Sequence, residues 1–318
     1  MTETVSELRR QSRRFTGPRQ PRHSAGRRRR RFNVCRPLPD EGEAGMSQEI
    51  LYAIVDGTAE PNLSLMLERY DPPSTCLYSE PLQPELAEIA PYLVQVNEEV
   101  KIWLECRKTP WGIYLHSTAD LKTLRHHLRK YLQVLLPGQE KPVFFRFYDP
   151  RNIWDFLEVL SDWEMHCLLG PIHKITTDYK GEYKQDNFLK VREKYPDNAK
   201  GRYKIFKISE EQYELIEIKQ KEKYLQKLDL FLLSELAELR KSISIVNSIS
   251  FLAFFYDYLL AEKITDTRSM EGILKKVIRE DDFDIDIDID HFDKSLLSNL
   301  VDDGTPGWYR ANNFIEDI

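Results

Sequence analysis

The stretch Ile50-Leu51-Tyr52-Ala53-Ile54-Val55-Asp56-Gly57 decides the fold class. Six apolar residues run without a break and stop at an Asp-Gly turn signal, the pattern of a buried strand. The pattern then changes period. Pro61 stands at a helix start, Leu63, Leu67 and Tyr70 share one helical face, and Asp71-Pro72-Pro73 ends it.

The same alternation continues outward. Residues 75–78 and 92–96 read as strands on either side of the proline-punctuated segment 81–90. Residues 98–106 predict a short helix with Val100, Trp103 and Leu104 inward, and 111–115 another strand. Ser117-Thr118 predicts the cap of a helix carrying Leu121, Leu124, Leu128, Leu132 and Leu135 as far as Pro137-Gly138. Residues 143–148 are β-rich. Asp149-Pro150 then predicts an N-cap with proline at the first helical position, before a core face of Ile153, Phe156, Leu157 and Leu160. The expected fold is α+β, with a mixed α/β lobe over residues 46–175.

Residues 176–202 are polar, contain Gly181, Pro196 and Gly201, and read as a linker or long loop. Beyond a strand candidate at 203–208, Leu225, Leu232, Leu239 and Val246 recur every seven residues, supported by Leu228, Leu236 and Ile243. That predicts a long amphipathic helix suited to packing on another helix. With further helices over 249–263 and 270–279, residues 203–280 are expected to form a mainly helical lobe, and 281–318 an acidic tail.

Charge divides the chain of 318 residues unevenly. Twelve of its 46 basic residues, all Arg, and five of its 52 acidic ones fall in residues 1–45, a net of +7 that leaves −13 for the rest. The Arg-rich segment has too few large apolar residues to offset its chain entropy, so it reads as a disordered basic extension. Met46 lies directly before the first strand, and translation is expected to start there. No apolar run approaches the ~18 residues of a membrane helix, and the mean hydropathy is −0.53. A cytoplasmic location without membrane insertion is expected. Nucleic-acid binding is not, because phosphates repel an acidic body. Cys35, Cys76, Cys106 and Cys167 are widely spaced, which reads as reduced thiols and not as a metal or disulfide framework.

The remaining constellations carry little chemistry. The run Asp284-Ile285-Asp286-Ile287-Asp288-Ile289-Asp290 invites a calcium reading. An EF-hand loop opening at Asp284 would need Gly and Glu where Ile289 and Ser295 stand, so an acidic edge that touches a basic partner is expected instead. His126 and His127 are adjacent and would point about 100° apart on a helix, a poor metal pair. His116, His166 and His173 read as surface or satisfied core residues. Asp56, Asp149 and Glu105 could serve as acid/base groups, but Asp56 precedes a turn glycine and Asp149 a proline, both structural roles. No GxSxG, Walker, HExxH or GxGxxG motif is present. Phe251, Phe254, Phe255 and Tyr258 form either a core helix or an apolar face that receives a partner helix.

Six strings, in order, carry a resemblance. They are Tyr52-Ala53-Ile54-Val55-Asp56-Gly57, Leu86-Ala87-Glu88-Ile89-Ala90-Pro91-Tyr92-Leu93-Val94, Trp111-Gly112, His127-Leu128-Arg129, Phe145-Arg146-Phe147-Tyr148-Asp149-Pro150-Arg151 and Gly170-Pro171-Ile172. Together they resemble the domain of unknown function 4123 of type VI secretion effector chaperones, or adaptors. The resemblance spans residues 52–172. It implies a non-enzymatic protein without catalytic, metal or cofactor residues, whose partners are a toxic effector in the producing cell and the VgrG spike. Asp56, Gly57, Trp111, Gly112, Arg146, Tyr148, Asp149, Pro150, Arg151, Gly170 and Pro171 are carried over as structural hallmarks, with Arg146, Tyr148, Asp149 and Arg151 organising a strand-to-helix junction. Phe251, Phe254, Phe255, Tyr258, Asp284, Asp286, Asp288 and Asp290 are the candidate partner-binding residues. The alternatives are a hydrolase using Asp56 or Asp149, and a nucleic-acid binder acting through the Arg-rich segment.

Overall fold

In the computed structural model, the described residues are 49–78, 81–196, 199, 201, 205–239, 245–280 and 294–316. The 1–45 extension, the Met46 start and the Asp284–Asp290 alternation lie outside them.

The opening apolar run is strand β1 (Ile50–Asp56), and its unbroken hydrophobicity has a physical cause: helices cover both faces of its sheet. Tyr52 and Ile54 point into a large core, Ala53 and Val55 into a smaller one. The sheet has six antiparallel strands. β1 pairs with β3 (Pro91–Gln95) on one side and β4 (Gly112–Ser117) on the other. β2 (Ser74–Cys76) forms one edge; β7 (Ile172–Tyr179) and β8 (Glu182–Asp186) complete the other, in the order β2-β3-β1-β4-β7-β8.

The smaller core lies under α1 (Leu63–Tyr70) and α3 (Glu98–Glu105), which bury Leu63, Met66, Val100 and Leu104 against Trp111 and Val94. A short helix α2 (Pro84–Glu88) leads into β3. The large core lies under α4 (Leu121–Leu128), α5 (Ile153–Val159) and α6 (Asp162–Leu169). A second, three-stranded sheet joins it, with β5 (Gln133–Leu135) between antiparallel β6 (Val143–Phe144) and parallel β9 (Phe206–Lys207).

Three boundaries differ from the sequence expectation. The leucine row from Leu121 does not make one helix. Asp120, not Ser117-Thr118, is the N-cap, accepting from the Thr123 amide at 2.7 Å. The helix ends at Leu128 in a 3-10 turn, and Val134 then enters β5 because Phe206 pairs beside it. The 176–202 segment, expected to be a linker or long loop, is structured over its described residues 176–196. They hold the end of β7, all of β8 and a short helix α7 (Leu189–Arg192), joined to the large core through Phe188 and Val191. Within the expected 281–318 acidic tail, the described residues 294–316 pack into the helical half: a 3-10 segment (Lys294–Leu300) and α11 (Gly307–Glu316) bury Leu297, Leu300, Ala311 and Phe314.

The helical half is built on α8 (Glu210–Leu239), with α9 (Ile245–Ala261) and α10 (Thr267–Glu280). The heptad positions Leu225, Leu228, Leu232 and Leu236 are buried against Phe251, Phe255, Leu259, Ile273 and Leu274. The first turns of α8 belong to the other core, where Tyr213 and Ile216 pack. One helix therefore serves both cores. Among the described residues no helix is long and apolar enough to cross a membrane.

Candidate functional site

Four of the six strings meet at the C-terminal end of β1. Asp56 closes the strand and is 2% exposed. Its amide donates to the Trp111 carbonyl at 2.7 Å, and its carbonyl accepts from Ala59 at 3.1 Å and Glu60 at 2.9 Å. Its carboxylate accepts from the Thr58 amide at 3.0 Å, the expected Asx-turn, and forms an ion pair with Arg146. Gly57 follows because the chain passes against β3: its amide donates to Ala90, and a Cβ there would stand 2.5 Å from the Glu88 carbonyl oxygen.

Trp111 is buried at the same end and meets Tyr114 edge-on, ring centroids 5.0 Å apart. Gly112 pairs with Val55 at φ +149°, and a Cβ would fall 1.8 Å from the Ile54 carbonyl oxygen. Only glycine lets β4 approach β1 this closely.

Arg146 lies on the segment between β6 and α5 and hydrogen bonds the buried Tyr148 phenol as well as pairing with Asp56. Burial pushes the Tyr148 hydroxyl far above the ordinary tyrosine range, so it stays protonated. Tyr78 approaches from beyond β2, edge-on to Phe144 at 5.2 Å. Arg125 of α4 donates to the carbonyls of Cys76 at 2.7 Å and Tyr78 at 3.2 Å. Arg125 thus fastens the edge-strand segment to α4, while Arg146 ties the segment before α5 to the central strand at Asp56.

Asp149 does not cap α5; Asn152 occupies that position. Asp149 makes its own turn three residues earlier, accepting from the Arg151 amide at 3.0 Å and from the Arg151 guanidinium at 2.9 and 2.6 Å. Pro150, Arg151 and Asn152 stand between the aspartate and the first helical residue, Ile153. Pro150 is buried within that turn. Helix α8 reaches this junction: Lys223 donates to the Arg151 carbonyl at 2.8 Å and pairs with Asp155, and Lys219 pairs with Glu158 at 2.7 Å.

Gly170 and Pro171 belong to a second cluster, at the opposite end of β4. The Pro171 carbonyl accepts from Ser117 Oγ at 2.6 Å. Gly170 ends α6 at φ +47°, where a Cβ would press into the His127 ring at 2.3 Å. His127 Nε2 donates to the Leu168 carbonyl at 2.7 Å, and desolvation pulls its pKa down to about 4, so the ring is neutral.

The aromatic residues of α9 resolve into core. Phe251 and Phe255 are fully buried, Phe254 and Tyr258 half-buried, and the Tyr258 hydroxyl donates to Leu297 at 3.1 Å. The helix is apolar nearly all round because α8, α10 and the 294–300 segment enclose it. No open face remains at Phe251 and Phe255 to receive a partner helix. Asp284, Asp286, Asp288 and Asp290 lie outside the described residues.

Sequence reasoning passed over Arg125, Tyr78, Lys223 and the surroundings of His127. A glycine beside a histidine-bearing helix has no one-dimensional signature. Arg125 sits one residue after core Leu124 and is hard to distinguish from an ordinary surface arginine. Among the described residues, no group of three His, Cys, Asp or Glu side chains is arranged to hold a metal.

Residues 51–167 match the family model described as Domain of unknown function (DUF4123). The matched span contains the whole Asp56–Arg146 cluster and ends just before Gly170. No curated protein matches the chain, and no solved structure does.

Proposed function

We propose that this chain is a type VI secretion effector chaperone. It binds a toxic effector in the cytoplasm of the producing cell and promotes its loading onto the VgrG spike, without catalysis of its own. The observation that carries this reading is the DUF4123 match over residues 51–167, since that family is linked to type VI secretion. Its characteristic residues here bind one another: Asp56 to Arg146, Arg146 to Tyr148, Asp149 to Arg151. Such a cluster supports a rigid platform for partner surfaces.

The hydrolase alternative rests on Asp56 and Asp149, and both carboxylates are already engaged by arginine. The chaperone reading expects Asp149→Asn to lower stability or partner binding, without abolishing any turnover. The principal test is co-expression of the full chain with the toxin and VgrG encoded beside its gene, followed by co-purification. Association with one or both is expected. No association with either, when both are folded, would sink the reading.

A further inference from the structure

Four of the chain's seven histidines line one cleft of about 590 Å3, which includes Gly170 and Pro171 beside the Ser117 end of β4. His126, His127 and Lys130 come from α4, His166 from α6, His173 from β7 and Arg192 from α7. The protein beyond residue 45 carries a net charge of −13, yet no described residue lining this cleft is an aspartate or glutamate. A concave, low-dielectric surface with one sign of charge focuses field toward ligands of the other sign.

The lining side chains divide by role. His127 and His166 are committed to the backbone, at Leu168 and Ala199. With Tyr131 and Phe206 they make an aromatic floor of mutually tilted rings. Arg192 is anchored by donation to the Ile172 carbonyl, which fixes its guanidinium at the wall. His173 contacts Thr118 at the rim, 3.1 Å away. The side chains of Lys130 and His126 are exposed and have no hydrogen bond or ion pair among the described residues. One anchored cation, Arg192, and one exposed cation, Lys130, on the same cleft favour a ligand that carries more than one negative charge. The volume suits a small molecule.

We propose that this cleft is a binding site for a small ligand bearing a multiply charged oxyanion, phosphoryl or polycarboxylate, held by Lys130 and Arg192. His126 and His173 supply donors at the rim, and the aromatic floor receives the ligand's body. Nothing in this assignment depends on the chaperone reading.

The experiment is calorimetric titration of the full chain at low ionic strength with inorganic pyrophosphate and, separately, citrate. Each is compared with sodium chloride of matched ionic strength. Saturable binding of at least one probe is expected. Lys130→Glu should weaken it by about tenfold or more, and His126→Glu should also weaken it. Both side chains are exposed, so the unliganded melting temperature should not move. Lys141→Glu, an exposed lysine away from the cleft, should leave affinity unchanged. Pyrophosphate binding alone identifies a phosphoryl ligand, citrate alone a polycarboxylate, and both a site selective for charge only. The proposal is overturned if neither probe saturates, or if Lys141→Glu weakens binding as much as Lys130→Glu.

Discussion

Replacing Arg146 by methionine tests what the convergent motif residues do. Asp56 is 2% exposed and the Arg146 side chain 19%, so the ion pair is largely removed from water. Arg146→Met leaves the Asp56 carboxylate buried with only the Thr58 amide, and strips the Tyr148 phenol of its partner. Breaking one side of a buried pair costs about 3–5 kcal/mol. That is a large part of the roughly 5–15 kcal/mol available to a domain. The double variant Asp56→Asn/Arg146→Met removes the stranded charge and keeps an oxygen for Thr58. It should regain at least half of the loss. Urea unfolding read by tryptophan fluorescence gives both values. Four of the five tryptophans (Trp103, Trp111, Trp154, Trp163) lie in the α/β half, so the measurement is made in a Trp308→Phe background. A loss under about 1 kcal/mol for Arg146→Met, or strict additivity in the double variant, would refute the buried-pair argument.

Three further outcomes follow from the packing. Gly112→Ala should yield little folded protein, because its Cβ meets the Ile54 carbonyl; an unchanged melting temperature would contradict the close approach of β4 to β1. His127 is held neutral down to about pH 4 in the fold, whereas its ordinary value is 6.5. Its stabilising contribution is therefore complete above pH 6.5 and lost as pH falls toward 4, by about 3 kcal/mol in all. His127→Gln should flatten that part of the stability profile. Leu228→Ala, at a fully buried heptad position, should cost about 2–5 kcal/mol, seen as earlier unfolding of the helical half by Trp308 fluorescence.

Legibility in the sequence followed burial. β1, β3 and β4 were readable because both faces of their sheet are covered, so each strand is a dense apolar run. The buried heptad positions of α8 were readable for the related reason that they face one continuous core. β8 was missed because all five of its residues are exposed and nothing in Glu182–Asp186 alternates in hydrophobicity. Its signal lies in the turn: Lys180 and Gly181 both take positive φ between paired Tyr179 and Glu182, the geometry of a two-residue hairpin. The over-long helix from Leu121 shows the converse error. Leucines at three- and four-residue spacing satisfy a helix, but Leu132-Gln133-Val134 also alternates, and pairing with a strand seventy residues away decided between them. The cluster around Asp56 was visible only as disconnected strings. That Arg146 would reach Asp56, ninety residues earlier, is a property of the assembled sheet.

Helix α8 has a mechanical consequence. Its 30 residues span about 45 Å as one rigid rod. One end is clamped by Tyr213, Ile216, Lys219 and Lys223, the other by the leucines beyond Leu225. A tilt of about 10° at the clamp beside Arg151, about 24 Å from the distal end, would sweep that end through roughly 4 Å. A partner that grips the α/β half and shifts that clamp would thereby act as a lever on the helical half.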